Sequence, residues 1–141
     1  MTVYLDASVV LRALFGEPGP LEEWDAITTA YTSVLARVEC SRTLDRIRMH
    51  HLAPAEAMWN RLPTLQRIFD GFQTLELSSA VLTRASQPLP APLGTLDALH
   101  LASALIWREQ HAGEEDLVFA THDRALGRAA RIMGLTVIGT D

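Results

Sequence analysis

Four acidic residues of this chain lie at the junction between a predicted strand and a predicted helix, or just inside the helix that follows. Asp6 ends the apolar run at the start of the chain, and Asp123 closes a later apolar run. The other two, Glu39 and Asp97, fall early in predicted helices. Unpaired buried carboxylates are costly, so acids rarely interrupt apolar stretches by chance. If the strands run parallel, all four side chains meet at one end of the sheet, where open α/β sheets bind ligands.

Such a cluster of carboxylates predicts a site for a divalent metal ion. Two unit charges about 4 Å apart repel by roughly 4 kcal/mol at an effective dielectric constant near 20, so four converging acids require protons or a cation. Mg²⁺ and Mn²⁺ prefer carboxylate and water ligands. A zinc site is a weaker interpretation, because Cys40 and the histidines lack zinc-ligand spacing. The chemistry that fits is metal-assisted hydrolysis of a phosphodiester, in which the metal polarises the phosphoryl oxygen and lowers the pKa of the attacking water.

Each acid taken alone also has an ordinary structural explanation. An aspartate at a strand end is often a turn or cap residue. Glu39 is harder to explain in this way, because it lies among the apolar residues Val34, Leu35, Val38 and Cys40. The joint pattern therefore favours a functional site over four separate caps.

The composition is that of a globular protein, and we expect one domain spanning residues 1–141. Apolar residues make up 48% of the 141 residues, which argues against disorder. The single cysteine, Cys40, excludes an intrachain disulfide and fits a reducing cytoplasm. We expect no signal peptide, because Asp6 interrupts the first apolar run, and no apolar stretch approaches the roughly 20 residues that span a bilayer.

The charged residues exclude several classes of enzyme. All twelve basic residues are arginine, so the chain has no lysine for a P-loop, a Schiff base or a phospho-acceptor receiver. The net charge of −5 first argues against a nucleic-acid partner. The four acids carry most of that charge, and bound divalent ions would cancel it. Global charge therefore leaves nucleic acid open as a partner.

Strand-like and helix-like segments alternate along the chain, which predicts an α/β fold with a mainly parallel sheet. Strands are predicted at about residues 3–6, 30–32, 73–77, 117–121 and 135–138. Helices are predicted at about residues 8–15, 21–28, 33–50, 54–72, 78–86, 95–110 and 123–133. Ser33, Ser78 or Ser79, and Thr95 are the expected N-caps, and Pro63 is a candidate break in its helix.

Four segments, each containing one of the acids, strongly resemble motifs of the PIN-domain nucleases, and most closely those of the VapC toxins of bacterial toxin–antitoxin pairs. The segments are Leu5-Asp6-Ala7-Ser8, Thr32-Ser33 followed by Glu39, Thr95-Leu96-Asp97-Ala98-Leu99-His100-Leu101-Ala102 and Thr121-His122-Asp123-Arg124-Ala125-Leu126. The resemblance covers essentially the whole chain. It implies a three-layer α/β fold, Mg²⁺ or Mn²⁺ held by the four acids, and cleavage of RNA. It also implies an antitoxin of the VapB type as a partner.

Two hydroxyl residues and three arginines are candidates for supporting roles. Ser8 and Thr121 flank the acids and are expected to hydrogen-bond a ligating carboxylate or its water, or else to cap the following helices. Arg12, Arg42 and Arg46 are candidates for contacts with the RNA backbone, which position a strand without reading its sequence. The alternative for each arginine is a solvated or ion-paired surface role.

Other residues are given structural interpretations. His100, one turn beyond Asp97, is interpreted as a packed core histidine, and Asp116 as a surface residue at the opposite end of the sheet. A set of apolar residues near the helices between the first and third strands predicts an interface for a homodimer or for the antitoxin. This set is Leu21, Trp24, Trp59 and Leu62.

Two other functions remain open from the sequence. One is a PIN-domain nuclease for RNA processing that has no antitoxin. The other is a non-catalytic α/β domain that uses the acids to hold a metal or a nucleotide, although no glycine-rich phosphate loop is present in the sequence.

Overall fold

The computed structural model describes residues 1–140, apart from the side chains of Ala55 and Met58, and is built around a five-stranded sheet in which all strand pairs are parallel. The strands are β1 (Thr2–Leu5), β2 (Thr29–Ser33), β3 (Gln73–Leu75), β4 (Leu117–Ala120) and β5 (Thr136–Ile138). Their order in the sheet is β3-β2-β1-β4-β5. The predicted parallel α/β fold is therefore confirmed.

The order of the strands indicates where a ligand site is expected in the sheet. Both β2 and β4 pair with the central strand β1, so the chain turns in opposite directions on the two sides of β1. In such sheets the crevice beyond the carboxyl ends of the strands at this switch point is the usual ligand site. Leu5 pairs with Ala120, so the next residues, Asp6 and Thr121, leave neighbouring strands side by side.

Helices cover both faces of the sheet and complete a three-layer arrangement. They are α1 (Ala7–Phe15), α2 (Val34–Met49), α3 (Ala55–Asp70), α4 (Ser79–Ala85), α5 (Thr95–Gln110) and α6 (Arg124–Ile132). Tyr4 and Phe119 point to the face covered by α5 and α6, whereas Val3 and Leu5 point to the face covered by α1. Helices α2 and α3 pack on α1 through a separate apolar cluster that includes Cys40.

Three local expectations were wrong. Residues 21–28 contain only a 3₁₀ turn at Trp24–Ala26, and Leu21 is drawn into the core against β1. The N-cap of α5 is Gly94 in extended conformation, and Thr95 is already the first helical residue. Helix α3 continues through Pro63, because the residue lies on the exposed face, where water can satisfy the carbonyl that a proline leaves without a partner.

Other local expectations were confirmed. Ser33 caps α2 by accepting a hydrogen bond from the Leu35 amide, and Ser78 caps α4 in the same way from Val81. Asp116 is exposed and directly precedes β4, at the edge of the sheet opposite to Asp6. Within the described residues, no helix has the length and apolar character needed to cross a membrane.

The predicted interface set divides between core and surface. Leu21 is buried, which removes it from any interface. Trp59 is 67% exposed and Leu62 is also exposed, both on α3, and Trp24 is exposed in the 3₁₀ turn at Trp24–Ala26. Only the two residues of α3 therefore remain together as one apolar surface.

Candidate active site

Asp6 is the most firmly held of the four acids. It is the N-cap of α1, and its Oδ1 accepts hydrogen bonds from the Ser8 hydroxyl at 2.6 Å and from the Val9 amide at 3.2 Å. Its Oδ2 accepts the Thr121 hydroxyl at 2.6 Å. Burial raises the pKa of Asp6, and the hydrogen bonds from Ser8 and Thr121 act in the opposite direction. With both oxygens engaged, the carboxyl group has a single defined orientation.

Ser8 and Thr121 also join Asp6 to the connection between β4 and α6. The Ser8 oxygen accepts a hydrogen bond from the His122 amide at 2.9 Å. The Thr121 oxygen accepts one from the Asp123 amide at 3.0 Å. Both candidate supporting residues thus contact an acid directly, and they fix the loop that carries Asp123 against the start of α1.

Asp123 and Asp97 stand at the starts of two further helices. Asp123 is the N-cap of α6, and its Oδ1 accepts the Leu126 amide at 2.9 Å. Asp97 lies in the first turn of α5, where the helix dipole favours a negative charge. Burial raises the pKa of Asp97, and the nearby charges of Asp123, Asp6 and, more weakly, Glu39 raise it further. Asp97 therefore lies in the electrostatic field of all three other acids.

Glu39 is held by a contact that the sequence did not indicate. Its Oε1 lies 2.5 Å from Nε2 of His100, and Nδ1 of the same ring lies 2.8 Å from the Tyr4 hydroxyl. His100 is 1% exposed, so the predicted buried position is confirmed, yet the ring has a polar partner at each nitrogen. The only local signal in the sequence is the i, i+3 spacing from Asp97, which places both residues on one face of α5.

The four acids line one open cavity of about 490 Å³ at the carboxyl ends of the strands. Exposed Val38 and Leu96 form apolar parts of its wall. Two of the three candidate RNA-binding arginines, Arg42 and Arg46, also line it. The complete lining is Asp6, Ala7, Ser8, Leu11, Leu35, Val38, Glu39, Arg42, Thr43, Arg46, Leu96, Asp97, His100 and Asp123.

The arginines differ in what they contact. Arg42 pairs with Asp45 at 3.1 Å, whereas no ion pair is found for Arg46 among the described residues. Arg12 does not line the acidic cavity: its Nη1 donates to the Gly19 carbonyl at 3.1 Å and its Nε lies 4.0 Å from Glu17. The structure thus brings Arg42 and Arg46, but not Arg12, to the acids.

The donor set suits a hard divalent cation that keeps water ligands. All four acids present carboxylate oxygens, and the Asp97 oxygens accept no hydrogen bond from the described residues. Across residues 1–140, no three acidic, histidine or cysteine side chains have the mutual spacing for a single ion in their present conformations. Mg²⁺ commonly uses one or two carboxylates and several waters, so this arrangement fits it better than a cation that needs a complete protein cage. Neutralising the shared charge would also lower the raised pKa of Asp97.

A parallel sheet with a carboxylate-lined cavity at the carboxyl ends of its strands defines an α/β protein with an acidic candidate site. Comparison with known families then identifies the family to which the chain belongs. The PIN domain family matches residues 3–132, and the chain belongs to this family.

Two curated relatives from Mycobacterium tuberculosis are similar over nearly the whole chain. Ribonuclease VapC47 of strain CDC 1551 / Oshkosh is 32% identical over 140 residues, which cover 94% of this chain and 92% of the relative. Ribonuclease VapC46 of strain ATCC 25618 / H37Rv is 30% identical over 144 residues, covering 96% of this chain and 95% of the relative.

Solved structures share the fold at low sequence identity. VapBC2 from Rickettsia felis, bound to a DNA fragment from the promoter, has a TM-score of 0.68 at 12% identity, covering 97% of each chain. PAE2754 from Pyrobaculum aerophilum has a TM-score of 0.63 at 19% identity, covering 97% of this chain and 83% of the other. A toxin–antitoxin complex from Klebsiella pneumoniae has a TM-score of 0.60 at 15% identity, covering 86% and 87%.

Proposed function

We propose that this chain is an endoribonuclease that uses Mg²⁺ or Mn²⁺ to hydrolyse RNA phosphodiester bonds and acts as the toxin of a type II toxin–antitoxin pair. The observation that carries the proposal is that Asp6, Glu39, Asp97 and Asp123 line one cavity at the carboxyl ends of the strands. The raised pKa of Asp97, to which burial and then the charges of Asp123 and Asp6 contribute, agrees with their proximity. Acids that interact in this way at the edge of a parallel sheet are suited to share a cation. The relatives named ribonucleases support RNA as the substrate.

In this proposal Asp6, Glu39, Asp97 and Asp123 hold the ion. A bound divalent ion supplies Lewis acidity toward the phosphoryl oxygen and lowers the pKa of water. The contribution of the chain is to fix Asp6 in advance. Ser8 and Thr121 hold both oxygens of Asp6, so this acid needs no reorganisation when its ligand arrives.

RNA would enter along the wall of the cavity formed by α2. Arg42 and Arg46 lie on that wall at the exposed surface, where a guanidinium group pairs well with a phosphate. These contacts would set the position of the strand without reading its sequence. Val38 and Leu96 offer apolar contact to a base or sugar beside the acids.

We also propose an antitoxin of the VapB type as partner, which covers the acidic cavity and inserts a basic side chain, most effectively an arginine. A smaller apolar groove of about 210 Å³ between α2 and α3 supports this proposal, because Arg42 lines both the groove and the acidic cavity. Trp59 and Leu62 form part of the groove. We further propose a single PIN domain over residues 1–141, a homodimer, and the cytoplasm as location.

The test is induction of the protein in bacterial cells, with and without the product of the adjacent gene, followed by sequencing of RNA 5′ ends. We expect growth arrest and new RNA ends, both removed by Asp97→Asn and suppressed by the neighbouring product. New RNA ends without growth arrest or suppression would instead indicate an RNA-processing nuclease. Unchanged RNA ends with folded wild-type protein present would contradict the nuclease.

A further inference from the structure

A buried line of hydrogen bonds connects three of the elements that carry the acids. It runs from the Tyr4 hydroxyl to His100 Nδ1 at 2.8 Å, and from His100 Nε2 to Glu39 Oε1 at 2.5 Å. Tyr4 lies in β1, two residues before Asp6, and His100 lies in α5, three residues after Asp97. The line therefore ties the helix of Glu39 to the elements that present Asp6 and Asp97.

The packing around Tyr4 and His100 leaves these two side chains little freedom. Tyr4 is 0% exposed, its ring stacks on Phe119 with centroids 5.4 Å apart, and it makes an edge-to-face contact with the His100 ring, with centroids 5.9 Å apart. Because water does not reach either ring, each polar atom must find its partner within the protein. In the observed arrangement both ring nitrogens of His100 have a partner, and Ser103 and the Ser33 backbone also interact with the Tyr4 hydroxyl.

The chemistry of the three groups determines which one donates in each of the two hydrogen bonds. An ionised carboxylate only accepts hydrogen bonds, so with Glu39 in that form His100 Nε2 is the donor. In the neutral ring Nδ1 then has a free lone pair, and the Tyr4 hydroxyl donates to it. His100 engages Oε1 of Glu39, whereas Oε2 has no hydrogen-bond partner among the described residues, and Glu39 lines the cavity.

We propose that Tyr4 and His100 are positioning residues that hold the Glu39 carboxylate ready for its role in the cavity. Glu39 needs such a contact because its side chain is long and projects from the half-exposed face of α2, where several rotamers are open to it. The inference rests on the proposed function, since it assigns Glu39 a ligand role. It goes beyond that function by giving Tyr4 and His100 a part in the site, which a histidine used only for packing would not have.

Two variants that differ by one methylene separate positioning from packing. In His100→Gln the side-chain amide nitrogen reaches the place of Nε2 and keeps a donor for Glu39. In His100→Asn the amide reaches only the place of Nδ1, so the contact with Glu39 is lost. Both substitutions put a neutral amide at the same buried position, and circular dichroism with thermal melting confirms that each variant is folded.

Calorimetric titration of the purified proteins with Mn²⁺ gives the first readout. We expect His100→Asn to bind Mn²⁺ about 10- to 100-fold more weakly than the wild type, the usual cost of losing the partner of a metal ligand, and His100→Gln to remain within a few-fold. Wild-type affinity in a folded His100→Asn, or equal loss in both variants, would overturn the inference. Wild-type protein that binds no Mn²⁺ would overturn the proposed function itself, and this result is visible without any variant.

Nitrogen-15 NMR of the histidine rings in the metal-free protein gives a readout independent of metal and activity. We expect the His100 ring to carry its proton on Nε2 and none on Nδ1. Tyr4→Phe, which keeps the ring packing, should move the His100 nitrogen shifts and weaken Mn²⁺ binding several-fold. A proton on Nδ1 in the wild type, or unchanged nitrogen shifts and Mn²⁺ affinity in Tyr4→Phe, would contradict this line of hydrogen bonds from Tyr4 to Glu39.

Discussion

Thr121 donates its hydroxyl proton to Oδ2 of Asp6 at 2.6 Å, across 115 residues of sequence and between two neighbouring strands of the sheet. The same oxygen of Thr121 accepts the amide of Asp123. One buried hydroxyl therefore fixes the positions of two of the four acids. This contact makes the arrangement of the acids a property of the sheet rather than of flexible loops.

Removing that hydroxyl should weaken both the site and the fold. Thr121→Val keeps the shape of the side chain but leaves Oδ2 of buried Asp6 without its donor, at a cost of about 1–3 kcal/mol in unfolding free energy. We expect RNA cleavage to fall roughly 10- to 100-fold. Thr121→Ser keeps the hydroxyl and serves as the matched control. Equal cleavage by the valine and serine variants, measured on a labelled RNA, would show that the hydrogen bond has no role in the site.

The raised pKa of Asp97 predicts a pH dependence of stability. Its ordinary value is 3.8 and the folded protein raises it, so between these two pKa values the native state binds more protons than the unfolded state. Stability due to this group is therefore full at low pH and is lost as pH rises through the window. In EDTA, the melting temperature of Asp97→Asn should rise relative to that of the wild type as the pH increases above about 4.

Mn²⁺ should reverse that order. At pH 7 the ion binds the folded wild type and raises its melting temperature, while the asparagine variant gains much less. Thermal melts by circular dichroism at several pH values, with EDTA or Mn²⁺, make the comparison. If the difference in melting temperature between the two proteins stays constant across the pH range, the charge interaction at Asp97 is ruled out.

The two arginines on the wall of the cavity should differ in their effect on RNA binding. Arg46 has no ion pair among the described residues, whereas Arg42 is paired with Asp45. Arg46→Ala should therefore raise KM more than Arg42→Ala, with kcat nearly unchanged. The slope of log affinity against log salt should fall by about 0.7 for each lost contact with single-stranded RNA. Arg128→Ala, exposed on α6, is the control, and an equal effect there would indicate non-specific attraction.

The exposed face of α3 should contribute to binding of the antitoxin and not to RNA cleavage. Trp59→Ala should weaken co-purification with the adjacent gene product and leave RNA cleavage unchanged, because Trp59 lies in the groove that adjoins the acidic cavity. Trp24→Ala removes another exposed tryptophan, which is not among the residues that line this groove, and should bind the partner normally. Light scattering on the same samples reports the dimer. Loss of binding in both variants, or in neither, would contradict this assignment.

The sequence was sufficient to predict the fold class and the meeting of the acids, for a physical reason. Asp6 and Asp123 follow buried strands, and parallel strands send such residues to one edge of the sheet whatever the details of packing. Ser33 and Ser78 were predictable as caps because capping depends on residues within one turn.

Contacts between distant parts of the chain were not predictable in this way. The bond between His100 and Glu39 joins residues 61 positions apart and depends on how α2 and α5 pack on the sheet. The orientation of the Arg12 side chain depends on the loop that follows α1, where the Gly19 carbonyl accepts a hydrogen bond from the guanidinium group. Leu21 looked like part of a helix surface, but burial against β1 decided its conformation.

Cleavage of a labelled RNA by purified wild type and Asp97→Asn, each with Mn²⁺ or with excess EDTA, tests the central claim most directly. We expect the wild type to cleave only with Mn²⁺, and the folded variant to cleave at least about 10³-fold more slowly, because it loses one of the carboxylates proposed to hold the metal ion. Wild-type cleavage in EDTA, or near-normal cleavage by folded Asp97→Asn, would contradict a metal-dependent site built on the four acids.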